Sequence, residues 1–258
     1  MSVVVERLES LRELMRRHGV HACVVPTSDP HLSEYLPQRW QTREWLSGFT
    51  GSAGTLVVCL DTAALWADSR YWEQAEAELQ GSGIDVMRAG AADVPAPSAW
   101  VAERLQAGNT VAVDGHVLSV QAGRQWREAC EKAGLRLDTR LDLAGLAWPE
   151  RPGLPDGTIR AHEAPWACRT RAQNLAAVRE AMQRNDAQWH LLSALDDIAW
   201  LFNLRGNDIP YNPVFLAHAL IGRDNARLFV DAGKIPAALQ AELLADGIAL
   251  HPYEAIDE

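Results

Sequence analysis

Within the first twenty residues, apolar side chains recur among polar ones at helical spacing. The apolar positions are Val4, Leu8, Leu11 and Met15. Because they are four, three and four residues apart, they predict one apolar stripe along an amphipathic helix. Ser2 is a suitable N-terminal cap, and Gly19 suits the left-handed position that follows a helix.

Strand patterns follow this helix and then alternate with further helical patterns. The run HACVVP (21–26) predicts a short buried strand, and LVVCL (56–60) and AALWAD (63–68) predict a β-hairpin. Helical signals are then expected at 70–79, 100–106 and 120–133, and strand signals at 84–87 and 110–114. Such alternation favours an α/β fold, with helices packed on a mixed sheet.

The pattern begins again after a proline- and glycine-rich stretch, Trp148–Gly157, which we interpret as an inter-domain linker. A shift of 167 positions aligns 11–29 with 178–196, with five of nineteen residues identical. A shift of 163 positions aligns ALWAD (64–68) with RLFVD (227–231). We therefore predict two related domains in tandem, residues 1–150 and 158–258, with boundaries anywhere from 145 to 168 equally acceptable.

Composition narrows the class of protein. The 258 residues are 48% hydrophobic and 22% charged, which is typical of a globular chain. Acids outnumber bases 34 to 24, and both predicted domains are mildly acidic, so a nucleic-acid partner is not expected. The chain contains no apolar run of the ~18 residues that a membrane span needs, and its N-terminus does not resemble a signal peptide.

The cysteine pattern indicates reduced thiols. Cys23, Cys59, Cys130 and Cys168 are far apart, and the first two lie inside apolar runs. This pattern favours a reducing cytoplasm over a disulfide framework or a zinc site.

Most motifs that suggest chemistry have a simpler structural interpretation. The glycine-rich stretch Gly48–Gly54 lacks the spacing of a phosphate-binding loop or a nucleophile elbow, so it is interpreted as a tight turn before a strand. The adjacent acids Asp196 and Asp197 are interpreted as helix-capping residues rather than metal ligands. No catalytic residue and no metal-ligating set is therefore assigned in this chain.

Arg70 is the strongest candidate for a binding residue. It lies at the junction between the strand ALWAD and the following helix, and its planar guanidinium suits a carboxylate or carbonyl group. From the residues alone, a structural ion pair with Asp68 is the favoured alternative. The polar segments 31–35, which contains His31, Glu34 and Tyr35, and Asn203–Pro213 are either walls of a site or ordered loops.

Three runs of sequence together resemble one enzyme family. These runs are SGFTGSAGT (47–55), ALWADSRYWEQAEAEL (64–79) and LDDIAWLFNLRGNDIPYNPVF (195–215). They resemble the N-terminal part of the cytosolic Xaa-Pro aminopeptidases (aminopeptidase P), a group related to prolidases and creatinases. The resemblance covers nearly the whole chain and is weakest across residues 85–165.

The resemblance implies a three-domain polypeptide of which this chain holds two. Both would have the creatinase-type α/β fold, each with a mixed sheet flanked by helices. The catalytic pita-bread domain, absent here, would hold two divalent ions, usually manganese, through two Asp, one His and two Glu. The family's D-x-R-Y arginine matches Arg70, which makes substrate contact its expected role, although Ser69 stands where relatives often have Gly.

The expected function is therefore that of a non-catalytic N-terminal region. It would shape access of peptide substrates and support assembly, as a dimer, of a cytoplasmic metallopeptidase that releases the residue before proline. The 258-residue fragment alone is expected to be inactive and to bind no cofactor. The alternatives are a free-standing interaction protein on the same scaffold, or the N-terminal region of a prolidase or creatinase relative.

Overall fold

The chain forms two compact units, which meet in sequence between Gly153 and Leu154. We describe residues 2–257 from a computed structural model of the chain. Among these residues, no helix combines the length and the apolar character that crossing a bilayer requires.

The first unit is a six-stranded mixed sheet with helices on both faces. Its strands are β1 (Ala22–Pro26), β2 (Gly54–Cys59), β3 (Ala63–Ala67), β4 (Asp85–Arg88), β5 (Thr110–Val113) and β6 (Arg136–Asp138). Its helices are α1 (Val3–His18), α2 (Thr42–Ser47), α3 (Trp72–Glu78), α4 (Pro97–Arg104), α5 (Val120–Lys132) and α6 (Leu143–Leu146). The strand order is β4-β3-β2-β1-β5-β6, with β1, β2 and β3 antiparallel and the other pairs parallel.

The predicted first helix is confirmed together with its stripe and caps. Leu8, Leu11 and Met15 are buried. The Ser2 hydroxyl accepts a hydrogen bond from the Val5 amide, and Gly19 ends α1 in the left-handed conformation, with φ of 64°. Because this stripe packs on the sheet, α1 is one of the elements that cover its first face.

The two faces of this sheet carry separate apolar cores. Side chains alternate along a strand, so Cys23 and Val25 point into one core while Ala22 and Val24 point into the other. Helices α1, α2, α3 and α6 cover the first face, and helices α4 and α5 cover the second. Both faces of the central strand β1 are therefore excluded from water.

The second unit contains a four-stranded sheet and a small two-stranded one. Its strands are β7 (Arg160–Ala161), β8 (Trp189–Leu192), β9 (Leu204–Arg205), β10 (His218–Gly222), β11 (Ala226–Phe229) and β12 (Ile248–His251). Its helices are α7 (Arg171–Arg184), α8 (Leu195–Leu201) and α9 (Ala237–Ala245). The larger sheet has the order β12-β11-β10-β8, and β7 pairs with β9.

The strand registers confirm that the two units are related. In the first unit Val24 pairs with Val57, which pairs with Ala64. In the second, Leu191 pairs with Leu220, which pairs with Arg227. These positions differ by 167 for the first strand and by 163 for the next two, the same shifts that align the sequences. The strands β1, β2, β3 and β4 thus correspond to β8, β10, β11 and β12.

One local expectation is revised by the structure, and the structure adds detail to the predicted linker stretch. Asp196 and Asp197 do not cap α8, because its N-cap is Ala194; they lie in the first turn, where acids favour the helix dipole. The start of the Trp148–Gly157 stretch is hydrogen-bonded into the first unit. The Arg39 guanidinium donates to the Pro152 carbonyl at 2.9 Å, and Arg151 Nε donates to the Arg39 carbonyl at 2.9 Å.

Candidate functional site

Arg70 lies where a fully buried strand emerges at the surface. All five residues of β3 are buried, and the chain then turns through a single 3-10 turn, Ser69–Tyr71, into α3. The Asp68 carboxylate caps this turn by accepting a hydrogen bond from the Arg70 amide at 3.1 Å. The cap fixes the backbone of Arg70, so its side chain leaves the sheet edge from a defined position.

The Arg70 side chain is 67% exposed and only partly engaged. Its Nε donates to Asp68 Oδ1 at 2.7 Å, and its guanidinium carbon lies 5.3 Å from the centroid of the Tyr71 ring. The hydrogen bond from Arg70 lowers the pKa of Asp68, and the same bond raises the pKa of Arg70. Among residues 2–257 we find no acceptor for its two terminal amino groups, which remain available to a carboxylate or carbonyl oxygen.

Two further segments approach Arg70. The Tyr71 hydroxyl and the Ser52 hydroxyl are 2.7 Å apart, which ties the start of α3 to the glycine-rich stretch. The Glu34 carboxylate is close enough to contribute to the raised pKa of Arg70, after the larger effects of Asp68 and Tyr71. The glycine-rich stretch is therefore linked to Arg70 through Tyr71, and the 31–35 segment acts on it through the charge of Glu34.

The glycine-rich stretch is held by a buried arginine that sequence inspection does not identify. Arg43 lies on α2 and is 4% exposed. It donates to the carbonyls of Phe49 at 2.6 Å and Gly51 at 2.5 Å, and to the Thr27 hydroxyl at 2.8 Å. Burial lowers the pKa of Arg43 to about 10. Because this value is still well above neutral pH, the side chain keeps its positive charge.

The packing around position 51 explains why glycine is required there. A Cβ atom at that position would lie 2.2 Å from Cζ of Phe49, whose ring is completely buried. The stretch is therefore a tight turn packed on the core and leading into β2, as predicted from its spacing. From outside, Glu78 accepts from the Thr50 amide at 2.8 Å and from the Thr50 hydroxyl at 2.7 Å.

The 31–35 segment is organised by a buried carboxylate. Asp29 is completely buried, and its Oδ1 accepts from the amides of His31 and Ser33, each at 2.9 Å. Burial raises the pKa of Asp29. His31 is also buried, whereas Glu34 and Tyr35 are exposed. Of the three residues named from the sequence in this segment, Glu34 and Tyr35 are thus accessible to a ligand.

The other polar segment, Asn203–Pro213, belongs to the second unit and is held by a buried ion pair. The Asp208 Oδ2 atom accepts from the Lys234 ammonium group and, at 2.7 Å, from the Leu216 amide. Burial raises the pKa of Asp208. At the tip of the segment, Tyr211 is fully exposed and has a positive φ of 63°. The segment is an ordered loop that presents one tyrosine to solvent.

A cleft of about 480 Å³ lies elsewhere in the second unit. It is bordered by His162, Glu163, Cys168 and Asp246, among others. Cys168 is exposed, while Cys23, Cys59 and Cys130 are buried. Burial raises the pKa of Cys23 to about 12 and that of Cys59 to about 11, so both predicted buried thiols are protonated at neutral pH.

Metal binding finds no support in the residues that the structure describes. Within 2–257, no three His, Cys, Asp or Glu side chains converge in a way that could hold an ion. The described part of this chain therefore does not fit a two-metal centre.

Comparison with known proteins points to a single family across both units. Two family models described as the creatinase/prolidase N-terminal domain match residues 7–139 and 150–258. The chain is 38% identical over 255 residues to a protein of Ajellomyces capsulatus named "Probable Xaa-Pro aminopeptidase P", covering 98% of this chain and 41% of that protein. A protein of the same name from Talaromyces marneffei is 39% identical over 253 residues, covering 97% and 38%.

A solved structure extends the comparison to three dimensions. The X-prolyl aminopeptidase of Caenorhabditis elegans, described as a cytosolic enzyme with a di-nuclear active site, superposes with a TM-score of 0.92 at 27% identity. The match covers 99% of this chain and 43% of that one. The chain thus spans about 40% of the length of the curated relatives it matches.

Proposed function

The chain belongs to the creatinase/prolidase N-terminal domain family, and we propose that it is the two-domain N-terminal region of a metal-dependent Xaa-Pro aminopeptidase. The observation that carries this proposal is the 38% identity over 98% of the chain to a protein of that name. In this proposal, residues 1–150 and 158–258 form the two domains.

The proposed longer protein releases the N-terminal residue from peptides that have proline in second position. Its metal ions, which we propose to be two manganese ions, would be held by the part of the protein that this chain does not contain. When bound, such ions supply an activated water for attack on the peptide bond. The residues described here would orient the peptide, limit access to the cleft and support assembly of a dimer in the cytoplasm.

Arg70 is the residue that we propose to contact the peptide. Asp68 fixes its backbone and its Nε, while its terminal amino groups stay open to solvent. A guanidinium held in this way presents a planar pair of donors to a carbonyl or carboxylate oxygen of a bound peptide. Because its position is set before binding, little conformational entropy is lost when the contact forms.

Assays of the protein encoded by the complete reading frame test the proposed function. With manganese present, it should release arginine from Arg-Pro-Pro and should leave Arg-Ala-Pro intact. The 258-residue chain, treated in the same way, should release nothing. Failure of the longer protein on Arg-Pro-Pro would refute the aminopeptidase proposal, and cleavage restricted to Xaa-Pro dipeptides would indicate a prolidase relative instead. A reading frame that ends at Glu258 would favour the free-standing interaction protein.

A further inference from the structure

Two arginines face each other across the small two-stranded sheet of the second unit. Arg160 of β7 is the register partner of Arg205 of β9, and the next pair along is Ala161 with Leu204. Leu204 is completely buried, whereas Arg160 is exposed and Arg205 is half-buried. Because side chains alternate across a strand, both guanidinium groups leave this β7–β9 ribbon on its outer face.

The two charges are close enough to affect each other. Directly opposite residues of an antiparallel pair have Cβ atoms about 4.5–5.5 Å apart, and like charges at such positions are destabilising. Burial lowers the pKa of Arg205, and the charge of Arg160 lowers it further. The ribbon therefore carries an electrostatic cost that its own residues create.

Neither arginine has an acidic partner among residues 2–257. Other arginines of the second unit do have one, since Arg171 pairs with Asp246 and Arg223 pairs with Asp186. The chain contains 34 acidic residues against 24 basic ones, so an acid near the ribbon would have been easy to supply. The uncompensated positive charge is thus confined to one place on an acidic chain.

Arg205 is held in position by one of its two terminal amino groups. Its Nη1 atom donates to the carbonyls of Ala199 and Leu204, each at 2.8 Å. Ala199 is buried in α8, so this anchor joins the ribbon to a helix. Nε and Nη2 have no acceptor in the described part of the chain, and together they form the edge of the guanidinium that a planar two-oxygen group can approach.

The backbone beneath the two arginines is tightly packed. A Cβ atom on Gly206, the residue after Arg205, would lie 2.6 Å from Cβ of the completely buried Phe215. On the other strand, Ile159 is completely buried, and its amide donates to the Lys234 carbonyl at 2.8 Å. The spacing between the two arginine backbones is therefore set before any ligand binds, which lowers the entropic cost of binding.

We propose that Arg160 and Arg205 form a binding site for a small oxyanion, that is, a phosphate, sulfate or carboxylate group held between the two guanidinium groups. Such a group accepts charge-assisted hydrogen bonds from Nε and Nη2 of Arg205, and the exposed side chain of Arg160 turns towards it. Its negative charge removes the repulsion between the two arginines. The site belongs to the second unit alone and does not depend on the proposed aminopeptidase activity.

Phosphate titration of the 258-residue chain tests the site. At pH 7 and low ionic strength, inorganic phosphate should bind saturably and raise the melting temperature, because it binds the folded chain. Sodium chloride at matched ionic strength is the reference for non-specific screening. Arg160→Gln and Arg205→Gln should each weaken phosphate binding by about 10- to 100-fold, since each removes hydrogen bonds to a charged ligand.

Arg136→Gln is the matched control. Arg136 is also an exposed arginine on a strand, but its register partner on β5 is Thr110. The substitution changes the net charge by the same amount and should leave phosphate binding unchanged. Equal weakening by all three substitutions, or binding that does not saturate, would overturn the inference.

The melting temperature without ligand provides a second measurement. In the absence of phosphate, Arg160→Gln should melt at a higher temperature than the unsubstituted chain, because the repulsion is relieved, and most clearly at low salt. At saturating phosphate the order should reverse, since only the unsubstituted chain gains the full effect of the ligand. The same order under both conditions would contradict the proposal. Arg160 is exposed, so this variant keeps the test valid even where Arg205→Gln does not fold.

Comparison with the longer protein identifies the source of the oxyanion. Where a free anion is the ligand, phosphate binds the longer protein as tightly as it binds the 258-residue chain. Where a carboxylate of the longer protein fills the site, phosphate no longer binds, and Arg160→Gln lowers the melting temperature without added ligand. Both results keep the oxyanion site. A longer protein that neither binds phosphate nor loses stability in Arg160→Gln would overturn it.

These measurements do not use peptide cleavage. Saturable phosphate binding that depends on both arginines would stand even if the longer protein leaves Arg-Pro-Pro intact. Cleavage of Arg-Pro-Pro without such binding would keep the aminopeptidase and reject the oxyanion site.

Discussion

Arg70 and Arg140 occupy the same local arrangement at two places in the first unit. In each case the arginine amide and Nε both donate to the carboxylate two residues earlier, Asp68 or Asp138. Both side chains are exposed, at 67% and 87%. The ion pair is thus a local consequence of the Asp-x-Arg spacing after a strand; it orients the Arg70 side chain but does not by itself distinguish Arg70 from Arg140. What distinguishes Arg70 is its surroundings: its guanidinium lies over the Tyr71 ring, the Tyr71 hydroxyl is 2.7 Å from that of Ser52, and the charge of Glu34 acts on it.

The pair provides a matched test of the role of Arg70. In the longer protein, Arg70→Ala should lower kcat/KM for Arg-Pro-Pro by about 10- to 100-fold, since a charged hydrogen bond to the peptide is lost. The melting temperature should stay unchanged, because the side chain is exposed. Arg140→Ala removes the same local ion pair and should leave both quantities unchanged. Equal effects of the two substitutions would return Arg70 to a structural role.

Asp29 gives a pH-dependent prediction at the same scale. Burial raises its pKa, so the folded state holds the proton more tightly than the unfolded state. Its contribution to stability is complete below the unfolded pKa of about 4 and is lost as pH rises through the folded value. Asp29→Asn keeps an acceptor for the two amides and removes the charge. Relative to the unsubstituted protein, this variant should therefore gain stability between pH 4 and pH 7.

Urea unfolding at several pH values measures this change, and Asp138→Asn is the control. Hydrogen bonds from Arg140 lower the pKa of Asp138, so its stabilisation is present above the unfolded pKa and lost as pH falls. The control should therefore lose relative stability as pH rises towards about 4, and should show no further change between pH 4 and pH 7, where Asp29→Asn gains stability. Parallel pH dependence of the two variants would contradict the assignment.

Elements with strong periodicity were predictable, and short ones were not. Helices α1 and α5 carry several turns of amphipathic pattern and lie where the sequence predicts them. Helices α2 and α6, of six and four residues, are too short to show a period. Arg43 was missed for a related reason. Its acceptors are the backbone carbonyls of Phe49 and Gly51, whose positions are created by the fold.

The glycine-rich turn can be tested as an element. Gly51→Ala should destabilise the chain by about 1–3 kcal/mol, because its Cβ atom overlaps the buried Phe49 ring. The control, Gly123→Ala, lies inside α5 with no atom within 4 Å of the added Cβ. It should stabilise the chain by about 0.5–1 kcal/mol, as alanine favours the helix. Denaturant unfolding measures both, and a stabilising Gly51→Ala would show that the turn tolerates a side chain.

The two units share the order of four corresponding strands, but they differ in how far the side chains of those strands are buried. The tandem duplication was predictable, since shifts of 167 and 163 residues reproduce the strand registers. The exposure of Trp189 and Leu191 on β8, at 49% and 56%, was not predictable, because both are typical of buried strands in a sequence. The corresponding residues of β1, Ala22 and Val24, are 0% and 3% exposed. The exposure of each pair depends on which elements the chain places opposite it, and that is a property of the assembled sheet.

This difference predicts unequal behaviour of the separated units. Residues 1–153, with both faces of the sheet covered, should unfold in one cooperative transition and should not bind a hydrophobic dye. Residues 154–258 should bind the dye or self-associate, because an open apolar face attracts both. Circular dichroism, dye fluorescence and sedimentation provide the measurements. A monomeric second unit without dye binding would contradict the exposed face.

The open edge of β8 has a consequence for synthesis on the ribosome. Elongation at about 5–20 residues per second means that β8 (Trp189–Leu192) emerges several seconds before β12 (Ile248–His251), the last strand of its sheet. During that interval Trp189 and Leu191 present an apolar strand to other nascent chains and to chaperones. Slower elongation between β8 and β12 therefore lengthens the time for which this strand is open to aggregation.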